Sequence, residues 1–288
     1  MSKPAVQSRT ITVGHSPDPD DAFMFYALTH GKVEVDGIQV RHHLEDIQSL
    51  NRRALRGEFE VTAISAAAYP SVAERYWIMA AGASVGRGYG PILVAKQGCA
   101  AERLTGARIA IPGKQTTAFL TLQLWSDDFT PVFIPFDQII PAVVRGDVDA
   151  GLLIHEGQIT YRQHGLEKIL DLGQWWQEET GLPLPLGLDV VRADVGETLA
   201  SSLNRALRES IAYAHAHQEE ALAYALEYGR GIQRNVGDLF VKMYVNDDTL
   251  DLGDEGRRAL ELLYCRAAKK RLLAAPKTLH IIDERAHG

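Results

Sequence analysis

The sequence predicts an α/β protein of two lobes with a ligand cleft between them, and three observations carry that reading. Short apolar runs bounded by Gly, Pro, Asp and Ser recur through the first two-thirds of the chain, and several lead through a turn into a helical stretch. These strand-turn-helix units form two groups, one before residue 97 and one after it. The segments Gly90 to Lys96 and Leu186 to Arg192 are placed to carry the chain from one group to the other and back. The expected limits are 1–97 with 192–288 for the first lobe and 98–191 for the second. The place where lobes meet is where such proteins hold small ligands.

Taken in order, Thr10 to Gly14 reads as a first strand, and His15-Ser-Pro-Asp-Pro-Asp-Asp21 is a turn into the helical run Ala22 to His30, which Gly31 ends. Asp18 suits an N-cap with Pro19 at the first helical position, and Asp20 and Asp21 suit the positive end of the helix dipole. The same turn also has the place in the chain of one that faces a ligand crevice, so both readings of its three carboxylates stand. Ile38 to Leu44 reads as a strand and Ile47 to Leu55 as a short helix stopped near Gly57. His42 and His43 are adjacent on that strand, which points their rings to opposite faces and argues against a shared metal. Phe59 to Ile64 is the next strand, and Ser65 is placed to cap a small-residue helix from Ala66 to Glu74.

Gly82 to Gly90 carries four glycines in nine residues and precedes the strand Pro91 to Ala95, the pattern of a flexible loop or of backbone that bends or approaches a ligand. Arg108 to Pro112 begins a further strand-turn-helix unit that continues through Gly113-Lys-Gln-Thr-Thr117 into the helix Ala118 to Trp125. It is not a P-loop, which needs Gly at position 108 and Ser or Thr after the lysine, where this chain has Arg108 and Gln115. Thr116 and Thr117 suit either an ordinary N-cap or, with Lys114 and the free N–H groups of the helix start, a carboxylate or phosphate site. Val132 to Pro135 reads as a strand and Phe136 to Arg145 as a helix, and Gly151 to Ile154 is an apolar run that ends on His155 and Glu156. A histidine at the carboxyl end of a strand stands where an acid or base meets a ligand, although a hydrogen-bonded structural histidine fits there too. Leu188 to Arg192 is the last expected strand, and the chain from Asp194 on reads as helical, over 195–228 with a break, 236–244 and 255–273.

With 46% apolar and 23% charged residues the chain can bury a full core, and a net charge of −7 disfavours a nucleic-acid or anionic-membrane partner. A small molecule is the expected partner. Cys99 and Cys265 alone give neither a disulfide framework nor a paired-cysteine metal site. The polar stretch Met1 to Arg9 has no apolar signal-peptide core, and no segment approaches the roughly 20 apolar residues of a membrane span, so the cytoplasm is the expected location. His155-Glu156 lacks the second histidine of a zincin, position 159 being Ile159, so no metal is expected, and neither is a serine nucleophile.

Several motifs, in order, carry a resemblance that runs nearly end to end: Ser16-Pro-x-Pro-x-Asp21-x-Phe23, Gly86-Arg-Gly-x-Gly-Pro91, Thr116-Thr117, Ile154-His-Glu156 with Thr160-Tyr161, Gly181-Leu-Pro-Leu-Pro-Leu-Gly187 and Val245-Asn246, where x is any residue. In these the chain resembles the 1,4-dihydroxy-6-naphthoate synthase family of the futalosine route to menaquinone, cytoplasmic enzymes with a two-lobed periplasmic-binding-protein-like fold. The resemblance implies a lyase that converts cyclic dehypoxanthinylfutalosine to 1,4-dihydroxy-6-naphthoate without a cofactor. It implies that His155 is the base, and that Thr116, Thr117 and the segment Ala63, Ile64, Ser65 bind a small-molecule carboxylate substrate. His155 would take a proton from carbon so that electrons move toward the forming aromatic ring and expel the sugar-derived fragment, with lobe closure excluding water.

The chain departs from the family pattern at two places. The family usually has Cys and Asn where this chain has Asp18 and Asp20, and commonly Lys-Leu-Ser where it has Ala63-Ile64-Ser65. If Asp20 and position 63 face the cleft, each change makes it one charge more negative, and Asp20 joins the expected substrate-binding residues. The alternatives are a paralogue acting on a different small molecule, a non-catalytic solute-binding protein of the same fold, and the related enzyme that dehydrates chorismate.

Overall fold

The computed structural model describes residues 9–99, 104–228 and 233–283, so the polar stretch Met1 to Ser8 lies outside the described residues. The chain builds β1 (Arg9–His15), β2 (Ile38–Leu44), β3 (Val61–Ser65), β4 (Tyr76–Met79) and β5 (Ser84–Gly86) in one sheet. It then builds β6 (Ile92–Lys96), β7 (Arg108–Ile111), β8 (Thr130–Phe133), β9 (Ala150–Leu153) and β10 (Leu166–Asp171) in a second, and returns for β11 (Leu184–Arg192) and β12 (Ile281–Ile282) in the first.

The two sheets repeat one layout. In the first, the order β2-β1-β3 is parallel and β11 runs antiparallel beside β3, with β4 beyond it. In the second, β8-β7-β9 is parallel and β6 runs antiparallel beside β9, with β10 beyond it. The chain changes sheet between Gly86 and Ile92 and again between Asp171 and Leu184, ahead of the expected lobe limits at 97/98 and 191/192. β6 and β11 thus open the sheets that the chain enters, where the sequence reading made them the ends of the lobes it leaves.

The helices are α1 (Pro19–Met24), α2 (Tyr26–Thr29), α3 (Ile47–Arg56), α4 (Thr117–Trp125), α5 (Ile139–Arg145), α6 (Gly157–Thr160), α7 (Leu172–Thr180), α8 (Glu197–Ala216), α9 (Gln218–Leu226), α10 (Arg234–Tyr244), α11 (Asp247–Leu250) and α12 (Gly253–Lys269). Alternation along β7 sends Ile109 and Ile111 to a core shared with Phe119 and Leu122 of α4, and Ala110 to a core shared with Ile139 and Val143 of α5. Helix α5 lies so close to β9 that a Cβ on Gly151 would fall 2.5 Å from Ile139 Cγ2. In the first lobe, Ile11, Val13 and Val61 pack under Leu203, Leu207 and Ile211 of α8 and Val241 of α10. Trp176 of α7 joins Leu184, Leu188 and Val190 of β11 in a further core.

Some elements differ from expectation. The helix read over Ala22 to His30 breaks at Phe25 into α1 and α2. Ala66 to Ser71 is a 3₁₀ turn rather than an α-helix to Glu74, with Pro70 inside it, and residues 76–79 that follow are strand β4. The last helix, α12, ends at Lys269, short of the expected 273, and the chain then runs without helix to β12, which pairs in parallel with β4.

Candidate active site

The carboxyl ends of the parallel strands open toward one cavity, and the sequence-predicted residues follow four of these ends, two from each sheet. β1 leads into the turn Ser16 to Asp21, β3 ends on Ala63, Ile64 and Ser65, β7 leads to Thr116 and Thr117, and β9 leads to His155. Of these, Ser16, Asp20, Asp21, Ala63, Ile64, Ser65, Thr116, Thr117 and His155 all line the cavity, which encloses about 760 Å³ including its open mouth. Lys114 is exposed and lies outside it.

His155 is held in the left-handed region, at φ 55°, one of two described non-glycine residues with positive φ. That conformation costs a residue with a Cβ about 1–2 kcal/mol, and such strain gathers where a side chain must be aimed. The ring is mostly buried, at 16% side-chain exposure. Phe136 packs edge-on against it with 5.0 Å between ring centres, and Nδ1 lies 3.3 Å from Asp18 Oδ2.

The turn before α1 is organised around that contact. Asp18 has the extended backbone of an N-cap, φ −113° and ψ 155°, with Pro19 in the first turn, yet its side chain makes no capping bond. Its Oδ2 instead accepts from Ser16 Oγ at 2.7 Å and faces His155. Ser16, Asp18 and His155 thus stand in a row, with the Asp18 carboxylate beside the imidazole as an orienting group. Asp21 Oδ2 accepts from the Ser16 N–H at 2.6 Å, while burial pushes the Asp21 carboxyl up to about 6. Asp20 Oδ1 is buried without a hydrogen bond, and burial, with Asp21 and Asp18 beside it, pushes that carboxyl well above the usual range. Two of the three carboxylates therefore line the cleft and the third holds the histidine.

Thr116 is the N-cap of α4: its Oγ1 accepts from the Phe119 N–H at 3.2 Å and donates to the Gly113 carbonyl at 2.9 Å. Thr117 Oγ1 donates to the Leu186 carbonyl at 2.6 Å and accepts from the Ala67 N–H at 3.1 Å, joining α4 to the first sheet. Both hydroxyls line the cavity while already bonded within the protein. Ser65 is held by Asn51, whose Oδ1 accepts from the Ser65 N–H at 2.8 Å and whose Nδ2 donates to Ser65 Oγ at 3.0 Å. The motif around Gly86 to Pro91 is tied to the chain about Asn246: Asn246 Nδ2 donates to Tyr89 Oη at 3.4 Å, Tyr89 Oη donates to the Met243 carbonyl, and Arg87 forks onto Asp248 at 2.6 and 2.7 Å.

Three lining residues escaped the sequence reading. Asp189 lies in the middle of β11, opposite Ala63, 1% exposed, with neither carboxylate oxygen hydrogen-bonded. Burial first, and Asp21 second, push its carboxyl well above the usual range. Tyr244 of α10 is buried and donates to Gln158 Oε1 at 2.7 Å across the cleft. Ser84 sits within Gly82-Ala-Ser-Val-Gly86, the spacing of a serine-nucleophile elbow that the sequence reading did not credit; it lies on β5 rather than at the strand-to-helix turn such a nucleophile needs. Alternating polarity would have flagged Asp189 only if the inward face of β11 had been known.

Residues 11–269 match the model of a family described as menaquinone biosynthesis. The chain is similar to a 1,4-dihydroxy-6-naphthoate synthase of Thermus thermophilus, 46% identical over 266 residues that span 92% of this chain and 96% of the relative. It is similar to a crystal structure of a protein from Archaeoglobus fulgidus at 50% identity and a TM-score of 0.88, covering 94% of this chain and all of that one. The alkanesulfonate-binding protein of Xanthomonas axonopodis pv. citri bound to MOPS matches at a TM-score of 0.71 and 14% identity, over 97% of this chain and 98% of that one. At that identity the likeness shows the fold alone, that of periplasmic binding proteins. With a family model matched over most of its length and a named enzyme relative of nearly equal span, the chain belongs to the menaquinone biosynthesis family.

Proposed function

We propose that this protein is a lyase that converts cyclic dehypoxanthinylfutalosine to 1,4-dihydroxy-6-naphthoate, with His155 as its general base. The observation that carries the reading is His155 itself, strained at the end of β9, lining the cavity, with Nδ1 against Asp18. With Nδ1 so engaged, Nε2 takes the proton from substrate carbon, and the Asp18 carboxylate stabilises the imidazolium that forms. Electrons released from carbon flow toward the forming aromatic ring and expel the sugar-derived fragment. The segment Ala63 to Ser65, Asp20 and the start of α4 at Thr116, Thr117 and Ala118 contact the substrate, the N–H groups of the first turn of α4 holding its carboxylate. On strand pairing we take the lobes as 9–86 with 184–283 and as 92–180, closing over the substrate to exclude water. Incubation with the cyclic futalosine derivative, followed by mass analysis for the naphthoate, tests the activity. Replacement of His155 tests the role.

A further inference from the structure

The wall of the cleft opposite Ala63 is acidic. Asp20, Asp21 and Asp189 line the cavity, and among the described residues no Lys or Arg does. Asp189 contributes two carboxylate oxygens and Asp20 one that are buried without any hydrogen bond. Such groups cost several kcal/mol as ions, and Asp21, which acts on both, adds repulsion, so burial and charge together favour their neutral form. The titratable groups that share the cavity wall with Asp189 are Asp20 and Asp21 of α1, His155 after β9 and Tyr244 of α10, with Asp21 the one that acts on its carboxyl; Ala63 of β3, Gly82 and Leu207 of α8 add no charge. Gly82, at φ 92°, presses against the carboxyl closely enough that a Cβ there would fall 2.1 Å from Asp189 Oδ2, which fixes where the group points. A metal is not the missing partner by geometry, since no three His, Cys, Asp or Glu side chains among the described residues are grouped to hold one.

We infer that Asp189, together with Asp20, binds the substrate as a neutral carboxylic acid and donates hydrogen bonds to a carboxylate or carbonyl oxygen of the ligand. A protonated carboxyl without an acceptor is an O–H donor waiting for one, and in a dry site a neutral acid serves an anionic ligand as an amide or hydroxyl would. This rests on the cleft being the substrate site proposed above, and it explains how a cleft without Lys or Arg accepts a carboxylate. It makes Asp189 a specificity-determining residue and takes the place of a cationic side chain at the cleft wall.

The test is calorimetric titration of the full chain with 2-naphthoate and with its cationic shape-mimic 2-naphthamidine, from near neutrality to the most alkaline pH at which the chain stays folded. The expected result is that 2-naphthoate binds better than 2-naphthamidine and loses affinity as pH rises and the acids ionise. Asp189→Asn keeps a donor, so it should bind 2-naphthoate near the wild-type level at the low end of the range and lose less of it at the high end. Adding Asp20→Asn should flatten the dependence further. Asp189→Leu removes the donor and should weaken binding by about tenfold or more at the low end. Preferential binding of 2-naphthamidine that tightens with rising pH would overturn the inference in favour of ionised carboxylates and a cationic ligand, and so would 2-naphthoate affinity indifferent to pH and to Asp189→Asn. Failure of the proposed reaction is separable: a chain that leaves the cyclic futalosine derivative unchanged yet binds 2-naphthoate with this pH dependence refutes the activity and keeps the neutral-acid site.

Discussion

Replacing His155 with Asn removes the base and leaves most else in place. The choice of Asn follows from the backbone: at φ 55° Asn is among the few residues that adopt the left-handed region readily, whereas Ala would meet the full cost of about 1–2 kcal/mol. The folded state loses the edge-on contact with Phe136 at 5.0 Å, worth about 0.5–1.5 kcal/mol. Asp18 loses its imidazole partner and keeps the Ser16 hydroxyl at 2.7 Å. The net stability change is about 1 kcal/mol, which moves Tm by about 2–4 °C in a chain of this size. The loss of a positioned base removes about 10²–10⁴ in rate, or about 2.7 kcal/mol and upward at the transition state. The two effects are therefore separable in one preparation: initial rates of naphthoate formation give kcat and KM, and a circular-dichroism melt gives Tm. The variant should melt within about 2–4 °C of wild type and lose kcat by about 10² or more. A kcat within a few fold of wild type, with Tm intact, would remove His155 from the mechanism.

Asp18→Asn should lower kcat with little change in KM, because it removes the charge beside Nδ1 without altering the lining of the cavity; equal loss in both would mean that the turn, not the charge, had been disturbed. Thr116→Val and Thr117→Val together should raise KM and, by taking the N-cap and the partners of Leu186 and Ala67, lower Tm, with each unpaired buried group costing about 1–3 kcal/mol; an unchanged KM in the folded fraction would confine the pair to structure. Asp189→Asn should raise Tm, and raise it more at high pH than near the ordinary carboxyl value of 3.8. The sign follows from a folded-state pKa above the unfolded one: stability is fully present while both states are protonated and is lost as pH rises through the folded value, and the amide abolishes that loss. A Tm difference independent of pH, read by scanning calorimetry, would show that the carboxyl is not titrating in the fold.

Most of the site was legible because strand ends announce themselves locally. Gly-Leu-Leu-Ile before His155, and the Asp-Pro-Asp-Asp turn after the first strand, are contiguous signals of strand followed by turn. The two sheets repeat one layout that no sequence repeat betrays, because a core accepts many apolar sequences in one topology. β4 and β5 went unseen because four and three residues are too few to show a period, and β12 because its two residues are a strand only through β4. Asp18 takes the N-cap position read from the sequence, but the partner of its side chain was not legible because it stands more than a hundred residues away, at His155. Asp189 was hidden for the same reason: one carboxylate in an apolar strand says nothing until its register opposite Ala63, and its place in the cavity wall, are known.

The most direct measurement is mass-resolved analysis of purified wild-type protein incubated with cyclic dehypoxanthinylfutalosine. The account predicts 1,4-dihydroxy-6-naphthoate accumulating in proportion to protein, in the absence of any added cofactor. Unconverted substrate at protein concentrations equal to its own would contradict it.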